Sequence, residues 1–169
     1  LRLMMFFMLP AWGLSNAAST LVGQNMGAGE MIRAEQSVMK TVKYNVIFML
    51  LVSLLFLILG DFLVGFFTEQ IEIKNYAKNA LHIMSVGFVF YGIGMVTINA
   101  FNGAGDTLTP TWLNFFGFWM FQIPLAYVLS KYFEMGPKGV FISIPMAETF
   151  ITVVAFILFK KGKWKNVKV

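Results

Sequence analysis

From Val46 to Leu59 the sequence reads VIFMLLVSLLFLIL, interrupted only by Ser53. Continued through its flanks, this run is long enough, at about 1.5 Å of helical rise per residue, to cross a hydrocarbon layer of about 30 Å. The same reading yields five candidate spans: Leu3 to Val22, Tyr44 to Phe67, Leu81 to Phe101, Thr111 to Ser130 and Gly139 to Phe159. Charged residues make up 12% of the chain and hydrophobic ones 58%, with mean hydropathy +0.73, whereas about 25% charged is usual for a soluble domain. The apolar residues gather into runs separated by short polar clusters, the pattern of membrane helices.

Polar residues inside such spans face other helices or a water-filled cavity, because hydrocarbon offers them no partner. Ser15, Asn16, Ser19 and Thr20 in the first span, and Ser85, Thr97 and Asn99 in the third, therefore predict a packed bundle. Cysteine is absent and His82 is the sole histidine, which excludes thiolate metal sites and nearly excludes a histidine cluster or a Ser/His/Asp triad. The net charge of +5 does not point to nucleic acid, since five of the thirteen basic residues lie in the terminal KKGKWKNVKV. After an apolar helix such a tail reads as a membrane-surface anchor, with Trp164 at the headgroups.

Lys and Arg on alternate sides set the orientation. Arg33, Lys40, Lys43, Lys160, Lys161, Lys163, Lys165 and Lys168 fall on one side, and Arg2, Lys74, Lys78, Lys131 and Lys138 on the other. The excess places the first-named side, with the C-terminus, in the cytoplasm. The chain opens inside an apolar run, LRLMMFFMLP, without an initiator Met, so it reads as a piece of something longer.

Two connections echo each other: NMGAGE at 25–30 and FNGAGD at 101–106. Neither carries the Lys-Ser or Lys-Thr pair of a phosphate loop, and neither follows a strand. Glycine here serves a tight turn between packed helices, with an acid favouring the next helix's N-terminus. In DTLTPTW, Thr109 reads as the N-cap, Pro110 as the first helical residue and Trp112 as a headgroup-level aromatic. Gly87, Gly92 and Gly94 are close-packing positions, His82 an interface residue, and Asp61 lies near the outer headgroups.

Pro10, Pro124 and Pro145 fall within spans and free the carbonyls of Phe6, Met120 and Phe141, so each can bend its helix; broken helices line substrate cavities in secondary transporters. Glu148 lies roughly 14 Å from one end of its span and roughly 18 Å from the other. An intramembrane carboxylate is costly. It is either a proton, cation or cationic-substrate site or a protonated packing residue. Asn99, Asn102, Asn114 and Gln122 flank the second glycine turn, where they either form a polar site or hydrogen-bond between helices.

The segments LVGQNMGAGEMIRAEQ and AFNGAGDTLTPTWLNFFGFWMFQIPLAYVL, with the ending ILFKKGKWKNV, resemble the C-terminal half of a multidrug and toxic compound extrusion (MATE) transporter. The resemblance covers essentially the whole chain. It implies an all-α membrane protein whose five spans correspond to helices 8 to 12 of a twelve-helix, two-lobe fold, with helix 7 and the N-terminal lobe as missing partners. It implies Na+ or H+ antiport driving export of cationic, amphipathic drugs across the cytoplasmic (inner) membrane, with no organic cofactor, no metal and no enzymatic step. Gly23, Gln24, Gly27 and Gly29, and Gly103, Gly105, Asp106 and Pro110, match the family's turns and would act with Pro124 and Pro145 as hinge or packing elements. Glu148, Asn99, Asn114 and Gln122 are the ion or substrate candidates. Some branches carry an acidic cation ligand in the tenth helix, but Leu81 to Phe101 holds no carboxylate, which shifts weight to Glu148 or to the missing half. Two alternatives are a lipid-linked oligosaccharide flippase of related architecture, which calls for internal Arg and Lys that these spans lack, and a non-transporting membrane scaffold, which needs no central carboxylate.

Overall fold

The two echoing glycine turns set the architecture, because each reverses the chain at the same end of the bundle. In the computed structural model, which describes residues 2–67 and 69–167, α1 (Arg2–Gly27) and α2 (Met31–Gly65) are joined by the first turn. Gly29 has φ 76° and Gly105 has φ 80°. The Gly29 N–H donates to Met26 O (2.9 Å) and that of Glu30 to Asn25 O (2.8 Å). The matching bonds at the second turn run from Gly105 to Asn102 O (3.1 Å) and from Asp106 to Phe101 O (3.0 Å). This pair of bonds around a left-handed residue is the Schellman termination of a helix. Glycine occupies the left-handed position without the steric cost a Cβ would bring.

The second turn ends α4 (Phe88–Gly103) and leads into a helix running from Leu108 to Tyr132, here α5. Asp106 starts it: its carboxylate accepts from the Thr109 N–H at 3.0 Å and from the Thr109 hydroxyl at 2.6 Å. Thr109 is thus not the N-cap expected from sequence. It sits inside the first turn, and the ionised oxygen of Asp106 satisfies the open N–H instead.

Helix α3 (Ile71–Val86) precedes α4, and the two form one span bent by 54°. The apolar run 81–101 occupies only its later part, since α3 begins in the polar sequence IEIKNYAKN. Among the described residues four helices are long and apolar enough to cross a membrane (α1, α2, α5 and α6, Pro137–Lys160), and the bent α3–α4 pair makes a fifth.

Polar side chains of three helices tie the bundle to the backbone of the bent span. Ser15 of α1 donates to Met95 O (2.8 Å), Asn45 and Ser53 of α2 to Gly92 O (3.0 Å) and Ser85 O (2.7 Å), and Thr152 of α6 to Phe90 O (2.9 Å). All four donors are buried. Interhelical bonds of this kind contribute about 0.6 kcal/mol each in membrane bundles. Helix α5 packs mainly on α6, with Gly117 against Ile151 and Phe121 stacked on Phe150 at 4.7 Å. It winds as a π-helix over Phe115–Gln122 and again over Val128–Tyr132. The first wide turn ends just before Pro124, whose ring cannot donate a backbone hydrogen bond.

The end of the chain departs from the expected surface anchor. After Lys160 a left-handed Gly162 (φ 73°) folds the chain back into a short 3-10 turn, Lys163–Asn166. Trp164 is 1% exposed. It stacks on Phe159 at 4.9 Å, and its indole N–H donates to Phe159 O at 2.9 Å. It closes a core of small and apolar residues from α1, α2, α4 and α6 that includes Val22, Ala34, Val38 and Phe101. Trp164 is therefore core, because the turn at Gly162 aims it inward. Lys160 and Lys165 meet Glu35 of α2 at 3.0 and 2.6 Å. Glu35 precedes the apolar run of α2, and its hydrogen bonds to Lys165 and Lys160 hold its carboxyl below the ordinary value of 4.5. Lys168 lies outside the described residues.

Candidate functional site

Helix α6 carries Glu148 one turn after Pro145. Glu148 is half-buried, and among the described residues no hydrogen bond or ion pair engages its carboxylate. It stands at the boundary of two cavities. One, about 230 Å³, is apolar and lined by Met4, Met5, Met8, Met84 and Phe88. The other, about 340 Å³, is lined by Trp12, Asn16, Asn99, Asn114 and Phe118. Tyr91 and Glu148 border both. Methionine walls adapt to ligands of varied shape, while the amides and phenol supply hard oxygen atoms beside the carboxylate.

The elements explain this convergence. Asn99 sits on α4 and donates to Ser15 Oγ at 2.5 Å while accepting from Asn102 at 3.3 Å. Its amide is held rigidly at the α1–α4 contact. Asn114 stands where α5 passes into its π-helical stretch, the kind of irregularity that recurs at functional sites. Glu148 is brought alongside by the packing of α6 on α4. The sequence candidates Glu148, Asn99 and Asn114 thus share one cavity, whereas Gln122 does not line it and is half-buried further along α5.

Trp12, Asn16, Tyr91 and Phe118 are additions. Asn16 was visible in the sequence as a polar interruption of the first span, but an aromatic residue within an apolar run does not announce which face it occupies. His82 lies elsewhere, against Gly60 at the α2–α3 contact, and its Nε2 is buried without a hydrogen-bond partner among the described residues. Asp61 pairs with Lys78. Among the described residues no three of His, Asp and Glu gather as a metal site.

The motif turns lie apart from this cavity. Gly103 and Ser19 bring α4 and α1 into backbone contact, so close that a Cβ on Gly103 would overlap the Ser19 carbonyl. Gly23 faces the Gly103 carbonyl at the same crossing. Gly23, two residues before the first echoing segment, and Gly103, within the second, therefore meet as packing elements. Pro110 is buried near the start of α5, and Pro145 abuts Gly87 at the bend between α3 and α4.

Long apolar helices cross-linked by buried polar side chains define a multi-pass α-helical membrane protein. The chain belongs to the MatE family, whose sequence profile matches residues 1–128. It is similar to a probable multidrug resistance protein NorM of Thermotoga maritima, 27% identical over 94% of this chain and 34% of the relative. It is also similar to a probable multidrug resistance protein YpnP of Bacillus subtilis, 26% identical over 99% and 37%, and to human multidrug and toxin extrusion protein 1, 26% identical over 95% and 28%. The chain thus spans about a third of the length of these relatives. Its fold matches a MOP superfamily transporter from Pyrococcus furiosus with TM-score 0.90 at 23% identity, over 98% of this chain and 38% of that one. An inward-facing multidrug resistance MATE transporter matches with TM-score 0.88 at 22% identity, over 99% and 39%.

Proposed function

We propose that this chain is the C-terminal part of a secondary active transporter that exports drugs or other organic cations across the cytoplasmic membrane by Na+ or H+ antiport. Its spans would stand as helices 8 to 12, completed by helix 7 and an N-terminal lobe, with the glycine turns and the C-terminus facing the cytoplasm. Family membership supports the reading. The single observation that carries it to a site is Glu148, a carboxylate with no hydrogen-bond or ion-pair partner among the described residues, at the junction of an apolar and an amide-lined cavity. A charge so placed is costly unless a ligand or proton neutralises it. Antiport needs a group whose occupancy by proton, metal cation or organic cation differs between inward-open and outward-open states.

In this reading Glu148 is the exchangeable anion, while Asn99 and Asn114 orient its ligand. Gln122, away from the cavity, would act only on a state with a different α5 packing. Replacing Glu148 by Gln in the full-length transporter keeps the shape and removes the charge. Ion-coupled efflux and drug resistance are expected to fall at least roughly tenfold, as for loss of a group used in every cycle. Unchanged resistance together with unchanged ion coupling would remove Glu148 from the site.

A further inference from the structure

One face of α2 is built like the imprint of a phospholipid. Arg33, Ser37, Lys40, Tyr44, Ile47, Leu51, Leu54 and Ile58 follow one another at alternating spacings of four and three residues, which keeps them on a single stripe of an α-helix. Its apolar part is open: Tyr44, Ile47, Leu51, Leu54 and Ile58 are each at least 45% exposed. Tyr44 to Leu54 spans roughly 15 Å of helix, the hydrocarbon depth of one leaflet in a bilayer core of about 30 Å.

At the end near the first glycine turn, the stripe runs into a polar groove of about 400 Å³ between α1 and α2, walled by Gln24, Asn25, Arg33, Gln36, Ser37 and Lys40. The Ser37 hydroxyl is turned to Arg33 O and the Asn25 amide to Leu21 O. Arg33, Lys40, Gln24 and Gln36 remain as donors. Neither cation has an acidic partner among the described residues. The nearby acids do not compete, since Glu35 is engaged by Lys160 and Lys165, Asp106 caps α5, and Glu30 does not line the groove.

We propose that this groove and stripe form a binding site for an anionic phospholipid, with its phosphate between Arg33 and Lys40 and one acyl chain along Tyr44 to Leu54. Two unpaired cations converging on a groove suit a phosphate, to which a guanidinium offers a planar donor fork and an ammonium a point charge. Continuity of that groove with an exposed aliphatic stripe selects a lipid over free phosphate. Tyr44 stands between them, as aromatic residues do at the headgroup boundary.

The site is tested on the purified protein, delipidated and offered phosphatidylglycerol or phosphatidylcholine with identical acyl chains, with retained lipid counted by native mass spectrometry. Wild type and K131Q/K138Q, which lacks two exposed cations of the opposite end, should retain phosphatidylglycerol roughly tenfold better than phosphatidylcholine. R33Q/K40Q should lose that preference while keeping its helical circular dichroism. Equal preference in wild type and R33Q/K40Q overturns the site, and full displacement of the lipid by inorganic phosphate overturns the lipid in favour of a soluble anion. Should R33Q/K40Q fail to fold, phosphatidylglycerol with a diazirine in its acyl chain decides on wild type. Labelling of residues 47–54 supports the proposal, and labelling confined to other surfaces overturns it.

Discussion

Gly87 and Pro145 meet so closely that a Cβ on the glycine would lie 2.5 Å from the proline Cβ. Gly87 has φ −81°, a conformation open to any residue, so glycine is required there by the neighbour and not by the backbone. The proline ring cannot rotate away as a flexible side chain would. Gly87→Ala is therefore expected to destabilise the protein by about 1 to 3 kcal/mol, the range for overpacking. Gly13→Ala, in α1 with open space around its Cβ, should stabilise by about 0.5 to 1 kcal/mol through helix propensity. Thermal unfolding in detergent distinguishes the two signs, and a neutral Gly87→Ala would show that the bend moves freely against α6.

The crossing of α1 and α4 makes a second contrast within the motif turns. At Gly103 the obstacle is the Ser19 backbone, which yields only if a whole helix shifts. Gly103→Ala should cost about 1 to 3 kcal/mol, whereas Gly27→Ala, with nothing near its Cβ, should be close to neutral. Equal costs at Gly27 and Gly103 would mean that the motif is maintained for something other than packing. Both are read by the denaturation midpoint of the same preparation.

Much of this architecture was legible because its causes are local. The left-handed positions at Gly29 and Gly105 follow from the echo of NMGAGE and FNGAGD. What the sequence concealed depends on partners distant in the chain. Trp164 sits among lysines and reads as a surface anchor until Gly162 turns it onto Phe159. Asp106 took the capping role from Thr109 because the helix begins earlier, at Leu108, which makes the Thr109 N–H one of its open donors, within reach of the Asp106 carboxylate. Tyr91 joined Glu148 only through the packing of α4 on α6. Gln122 was grouped with Asn114 as a polar residue flanking the second glycine turn, and it lies further along α5 without lining the cavity.

The pairing of Glu35 with Lys160 and Lys165 makes the end of the chain pH-sensitive on the acid side. Their hydrogen bonds lower the folded-state carboxyl below the ordinary 4.5, so the pairing contributes fully above that value. The contribution is lost as pH falls through the lowered folded value. Because all three side chains are partly exposed, each pair is worth at most about 1 kcal/mol. Glu35→Gln should lower the melting temperature at pH 7 by a few degrees, in keeping with about 1 kcal/mol in a domain of this size. The gap between variant and wild type should narrow as pH falls below the ordinary carboxyl value of 4.5 and close once pH is below the lowered folded value. A gap that persists there would assign the loss to packing and not to charge.

Trp164 tests whether the last turn is part of the core. Its indole is 1% exposed, stacked on Phe159 and bonded to the Phe159 carbonyl, while Trp112 is 56% exposed. Trp164→Ala opens a cavity where four helices converge and should cost about 3 to 5 kcal/mol, the range for a large buried aromatic. Trp112→Ala should cost under about 1 kcal/mol, as substitutions outside the packed interior do. Trp164→Phe keeps a ring against Phe159 and loses the hydrogen bond, so it should fall between the two, costing about 1 to 2 kcal/mol. If Trp164→Ala instead matched Trp112→Ala in unfolding experiments, the turn at Gly162 would not hold the indole in the bundle, and the tail would return to the role of surface anchor.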